Sequence, residues 1–293
     1  MKKTISLFVT LMLAACLYGQ PAKPTLPRIK QQNGISQLFI DGKPFTMLSG
    51  ELGNSSTSDK AYMDPIWPMM REMNLNTVLA PVYWELMEPN EGEFDFSLVD
   101  DMINRARNHH LKLVFLWFGT YKNSMSCYAP QWVKRDTKRF PRTLGKDGKP
   151  SEIASPFHKP ILDADTKAFT ALMAHIKEVD AAENTVIMVQ VENEIGQLPD
   201  ARDYSEAASK AFRSEVPVSL MDYLKKNKAR LLSHVDQLWA KSNYKTKGTW
   251  EEVFGRSLAT DELFIAWHYA VFAEQIAKAG KPSMAFPCTS TAP

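Results

Sequence analysis

The sequence predicts an α/β domain in which parallel strands alternate with helices and curl into a barrel. Three observations carry that reading. Val186–Val191 is apolar except for Gln190 and half β-branched, which suits a strand buried on both faces. Similar short apolar runs at 45–50, 76–84 and 111–118 are separated by helix-length amphipathic stretches, the spacing of consecutive βα units. Acidic, amide and aromatic residues gather where these runs end, and that end of a barrel is where catalytic residues sit.

The chain has 293 residues, 44% hydrophobic and 23% charged, enough for one large domain. A net charge of +2 without a long basic run gives no case for nucleic acid. No Gly-rich phosphate loop is present, and the histidines show neither H-x-H nor H-E-x-x-H spacing, so neither cofactor nor metal is expected. His109 and His110 read as solvated cations at a helix end.

Residues 1–19 read as a signal peptide: Lys2-Lys3, then the short apolar stretch Ile5–Ala15. Leu13-Ala14-Ala15-Cys16 is similar to a bacterial lipoprotein box, which would lipidate Cys16 and anchor the protein to a membrane. Cleavage near Gly19-Gln20 is the rival reading. Both export the protein, to the periplasm or to the outer-membrane surface of a bacterium. Cys127 and Cys288 then remain, too far apart in sequence to imply a disulfide framework.

The elements follow in order. A Pro-rich spacer, 21–27, leads to a domain spanning 28–293. Two short strands in 28–45 flank the turn dipeptides Asn33-Gly34 and Asp41-Gly42, a hairpin placed to plug or flank the main domain. The first core strand, 45–50, ends at Glu51. A helix over 64–73 puts Ile66, Trp67, Met70 and Met73 on one face. The strand 76–84 ends in Tyr83-Trp84-Glu85 and continues to Glu88-Pro89. Ser97 caps a helix reaching about His110. The strand 111–118 ends Trp117-Phe118-Gly119, and a long charged loop follows, 120–159, of a length that is usually functional or locally structured. A helix over 165–180 precedes the strand Val186–Val191. Residues 201–255 read as a helical insertion with helices near 204–212, 219–224 and 228–241. A last amphipathic helix spans 261–280, with Gly280 as its stop.

The chemistry concentrates after Val191. Glu192, Asn193 and Glu194 stand at the end of a buried strand, where carboxylates are costly to desolvate unless they have partners or work to do. Gln190-Val-Glu-Asn-Glu-Ile-Gly196 resembles the QVENEYG signature of glycoside hydrolase family 35, the β-galactosidase-like proteins, with Ile195 in place of Tyr. Pro81-Val-Tyr-Trp-Glu-Leu-Met-Glu-Pro89, followed by Gly92-Glu-Phe-Asp-Phe96, is similar to a stretch that family shares with its relatives. Leu48-Ser-Gly-Glu51 resembles its first-strand motif.

The resemblance covers about residues 35–280 and implies a (β/α)8 TIM-type barrel acting on a carbohydrate with retention. It makes Glu194 the general acid/base and has Asn193 bond the sugar 2-OH, a bond that tightens in the transition state. Such an acid needs a raised pKa, which a second carboxylate nearby would supply. Gln190 and Glu192 support the site from behind, and Glu51, Tyr83, Trp84, Glu88 and Trp117 are expected to line it. A bare Trp is core more often than sugar platform, and both roles are weighed for Trp84 and Trp117.

Two departures stand out. The family's third strand ends in Cys-Ala-Glu, whereas here Trp117-Phe118-Gly119-Thr120 carries no carboxylate, which leaves the sugar open between galactoside and another β-glycoside. The family's nucleophile lies on the seventh strand, and the last residues, 282–293, do not read as a buried strand. The expectation is a barrel lacking its last strands, with an out-of-frame tail, poorly stable and inactive alone. A non-catalytic carbohydrate-binding protein derived from a glycosidase is the alternative.

Overall fold

The computed structural model describes residues 25–283 and 287–289. The signal peptide, Cys16 and most of the Pro-rich spacer lie outside the described residues.

The chain opens with an antiparallel meander of β1 (Arg28–Gln32), β2 (Ile35–Ile40) and β3 (Lys43–Phe45). Both turns take left-handed backbone at two successive residues, φ 52° and 78° at Asn33-Gly34 and 48° and 78° at Asp41-Gly42. That is what a two-residue hairpin turn matching the strand twist requires. The sequence reading anticipated two strands here. The second turn adds a third, pairing Leu38 with Phe45.

The main domain runs through β4 (Ser49–Glu51), α1 (Ile66–Glu72), β5 (Thr77–Tyr83), α2 (Ser97–Asn108) and β6 (Lys112–Phe118). It continues through β7 (Arg142–Leu144), β8 (Pro150–Ala154), α3 (Lys159–Asp180) and β9 (Val186–Val191). Four helices follow, α4 (Glu206–Phe212), α5 (Val218–Lys226), α6 (Ser233–Ala240) and α7 (Trp250–Phe254). The long α8 (Leu258–Gly280) and a two-residue strand, β10 (Cys288–Thr289), come last.

Five strands form one parallel sheet in the order β10-β9-β6-β5-β4. Their apolar residues divide by strand periodicity, broken only at Ile187–Met188, where the β6–β9 register shifts. Val78, Ala80, Val82, Leu113, Phe115, Trp117, Val189 and Val191 pack into the helical layer. Val114, Leu116, Phe118, Ile187 and Met188 face the other way, where Leu38, Ile40 and Phe45 of the meander cover them. The meander thus covers that face of the sheet. Tyr83 pairs with Phe118 and Trp117 with Val191, so the strands end level with one another and present their loops on one side.

Several boundaries differ from expectation for identifiable reasons. Helix α3 starts at Lys159 rather than Asp165, with Pro160 in its first turn, where a missing N–H costs nothing. The loop after β6 contains a short helix, Gln131–Arg135, and the β7–β8 hairpin. In 201–255 the last expected helix begins only at Ser233, and α7 was not anticipated. It is closed by a Thr249–Glu252 capping box and buries Trp250, Val253 and Phe254 in the main core, which ties the polar stretch to the barrel. Gly280 is not a left-handed stop but the last helical residue of α8, packed on α3 so closely that a Cβ would strike Phe169 and come within 2.9 Å of Met173 Cγ. The tail also departs from expectation: Cys288 and Thr289 pair in parallel with Val189 and Gln190, adding a fifth strand beside β9.

Candidate active site

The segment after β9 turns its three polar side chains in different directions. Glu192 and Glu194 both adopt left-handed backbone, φ 61° and 50°, on either side of Asn193. Positive φ twice in three non-glycine residues is costly and persists only where the surroundings fix it.

Glu192 turns into the interior and is 1% exposed. Its carboxylate accepts from Tyr121 N at 2.7 Å and Thr120 N at 3.2 Å. Asp165 of α3, fully buried, meets the same loop: it accepts from Thr120 N at 2.7 Å, Thr120 Oγ1 at 2.5 Å and Trp117 Nε1 at 2.8 Å. Burial first, then the charge of Asp165 and a hydrogen bond with it, push the Glu192 carboxyl well above the usual range, against the pull of the two N–H donors. Gly119 is wedged between the two acids, with no room for a side chain.

Asn193 is nearly buried. Its Nδ2 donates to Gln190 Oε1 at 3.2 Å, and its Oδ1 is buried with no partner among the described residues. Glu194 turns outward, its side chain 58% exposed, and meets the ammonium of Lys122, a residue otherwise almost buried. Lys122 Nζ also donates to Asn123 Oδ1 at 2.7 Å and lies 5.2 Å from the Phe118 ring centre. Ser124 N donates to the Glu194 carbonyl at 2.9 Å, joining this loop to the strand end. Among the described residues, the charge that meets Glu194 is thus the ammonium of Lys122. Glu194 opens on a cleft of about 780 Å³ walled by Ile195, Leu198, Leu238, Leu263 and Tyr269.

The remaining expected site residues divide. Glu51 lies exposed at the end of β4. Tyr83 is buried, and its hydroxyl accepts from Thr57 N at 3.2 Å and bonds Thr57 Oγ1 at 2.9 Å; burial pushes the phenol up to about 12. Trp84 has no exposed surface and donates to Glu88 Oε2 at 2.6 Å, while Glu88 Oε1 accepts from Gly92 N at 2.7 Å. Trp117 is equally covered, its N–H spent on Asp165. As placed, Tyr83, Trp84, Glu88 and Trp117 tie the strand ends together and offer no face to a sugar. Apolar aromatic surface was better used in the core than at the mouth.

Sequence reasoning missed Lys122 and Asp165. Asp165 had a signal: with Ile161, Phe169, Leu172 and Ile176 it occupies the apolar stripe of α3, where a carboxylate is out of phase. Lys122 had none. Among the described residues no group of three or more His, Cys, Asp or Glu could hold a metal ion, and no helix is long and apolar enough to cross a membrane.

The exposed carboxylate of Glu194 and the buried amide of Asn193 thus stand together at the level ends of a parallel α/β sheet. The chain belongs to the β-galactosidase family designated glycoside hydrolase 42, whose model matches residues 55–261. It is 30% identical over 211 residues to a β-galactosidase of Xanthomonas manihotis, an alignment covering 67% of this chain and 31% of that protein. It is 25% identical over 196 residues to β-galactosidase-1-like protein 3 of Rattus norvegicus, covering 64% and 28%. The cold-adapted β-galactosidase of Rahnella sp. R3 shares the fold, with a TM-score of 0.54 and 17% identity over 83% of this chain and 35% of that one. The chain spans about a third of the length of the curated relatives it matches.

Proposed function

We propose that this chain is a retaining β-glycosidase domain, akin to glycoside hydrolase family 35 in its 190–196 motif, in which Glu194 protonates the leaving oxygen of a terminal β-galactoside-like unit. The observation that carries the proposal is the outward turn of Glu194 at the end of β9, beside a cleft large enough for a sugar. Asn193 supports it, since its unpartnered Oδ1 is an acceptor in want of a donor and a sugar hydroxyl is one. Glu192 holds the strand end from behind, and Glu51 is the other exposed carboxylate at a strand end. The second carboxylate of a retaining mechanism, about 5–5.5 Å from the acid, is assigned to no described residue. Export with a signal peptide, either with Cys16 lipidated or with cleavage near Gly19-Gln20, belongs to the same proposal.

One observation favours a second reading, a carbohydrate-binding protein without turnover. An ammonium seated on Glu194 occupies the carboxylate that would have to reach a leaving oxygen. The test is hydrolysis of aryl β-glycosides by the purified chain beside Glu194→Gln, with titration of the free sugars. Cleavage lost in Glu194→Gln for poor leaving groups establishes the acid. Sugar binding without cleavage removes turnover by this chain and leaves the second reading, and neither binding nor cleavage removes both.

A further inference from the structure

A second cleft, of about 750 Å³, lies between the short helix Gln131–Arg135 and the β7–β8 hairpin. Two cations line it, Arg142 and Lys134, together with the hydroxyl residues Ser126, Thr137, Ser151 and Ser205 and one acid, Glu152. Lys134 is satisfied: its Nζ donates to Glu85 Oε2 at 2.7 Å and to the Cys127 carbonyl at 2.8 Å.

Arg142 is not. Nη2 donates to the Lys134 carbonyl at 3.0 Å, Nη1 is buried with no partner, and no carboxylate among the described residues forms an ion pair with it. Glu152 is near enough to favour the charge but makes no such pair, and burial pulls the guanidinium below its ordinary range. A half-buried guanidinium with one backbone acceptor is an expensive arrangement. Its planar fork is built for two parallel bonds to a carboxylate, sulfate or phosphate.

We propose that this cleft is an oxyanion site in which the Arg142 guanidinium makes the charge-assisted contact, with Lys134 and the neighbouring hydroxyls lining the cleft. The ligand is an oxyanion, either free in solution or carried on an acidic carbohydrate as a carboxylate or sulfate ester. The site is separate from Glu194, although Ser126 lies on the same loop as Lys122 and its hydroxyl accepts from Ala154 N at 2.9 Å. The inference does not rest on the glycosidase reading.

Isothermal titration of the 293-residue protein with sodium sulfate and with sodium glucuronate, at ionic strength held constant with chloride, tests the site. Saturable binding is expected, weakened about tenfold or more by Arg142→Met because the charge-assisted fork is lost. Arg142→Lys, which keeps charge and length, should fall between the two because an ammonium lacks the fork; it carries the test should Arg142→Met fail to fold. Tighter glucuronate than sulfate assigns the site to an acidic sugar, and the reverse assigns it to the inorganic anion. Absence of binding by the wild type, or equal binding by all three proteins, overturns the proposal.

Discussion

Replacing Gly119 by alanine is the sharpest probe of how the strand end is held. The added Cβ would stand 2.7 Å from Asp165 Oδ2 and 2.7 Å from Glu192 Oε1, and closer still to Trp117 Nε1. None of the three can retreat cheaply. Asp165 and Trp117 are fully buried and bonded to each other, and Glu192 is fastened to two backbone N–H groups. Overpacking a closed core costs about 1–3 kcal/mol. Breaking the Trp117–Asp165 or Glu192–Tyr121 bond to relieve it leaves a buried polar group unpaired, about 1–3 kcal/mol more.

The sum, about 2–6 kcal/mol, is a large share of a typical domain's stability of about 5–15 kcal/mol. Urea unfolding followed by tryptophan fluorescence measures it as a lower midpoint at unchanged slope. Gly53→Ala is the matched control, because its Cβ meets only the Ser56 hydroxyl at 3.2 Å, on an exposed loop. A loss below about 1 kcal/mol for Gly119→Ala, against the overpacking range, would refute the claim that the acid pair is rigid.

The same pair makes stability depend on pH. The Glu192 carboxyl is raised in the folded state, so the stability it contributes is present below the unfolded value near 4.5 and declines as pH rises through the folded value. Glu192→Gln should flatten that decline in unfolding curves taken from acid to neutral pH, whereas Asp165→Asn, which removes the charge of Asp165 and leaves burial in place, should reduce it. His268 acts at the other end: ringed by Phe157 at 4.5 Å and Phe264 at 4.6 Å, it is lowered by burial to about 4. Its stability contribution is present above the unfolded value near 6.5 and lost as pH falls toward 4, so His268→Phe should remove an acid-sensitive step visible by circular dichroism. Gly280→Ala should cost about 1–3 kcal/mol by forcing α8 off Phe169 and Met173, read in the same urea assay.

What was legible in the sequence was whatever period and composition report directly. Strands buried on both faces are unbroken apolar runs, and β5, β6 and β9 emerge near their predicted positions. The two-residue turns of the meander were legible because Asn-Gly and Asp-Gly are the residues that tolerate left-handed backbone. Helix α7 was missed because five residues are too few to show a period, although the Thr249–Glu252 box was there to find. The first turn of α3 was missed although Pro160 stands where a helix opening tolerates a proline.

The site followed a different rule. Position along a strand predicted which residues would stand near the mouth, but not which way each would turn. Alternation alone cannot say that Glu192 goes inward and Glu194 outward, because the left-handed backbone at both residues breaks the period just where the strand stops. Once Glu192 turns inward, it needs donors in the interior, and the backbone N–H groups of Thr120 and Tyr121 are set there by Gly119. That placement carries the chain on to Lys122, whose ammonium then arrives at Glu194. A glycine with no visible chemistry of its own thereby fixes the charge that faces the candidate acid, a link that runs through three dimensions and leaves no spacing in the sequence to read.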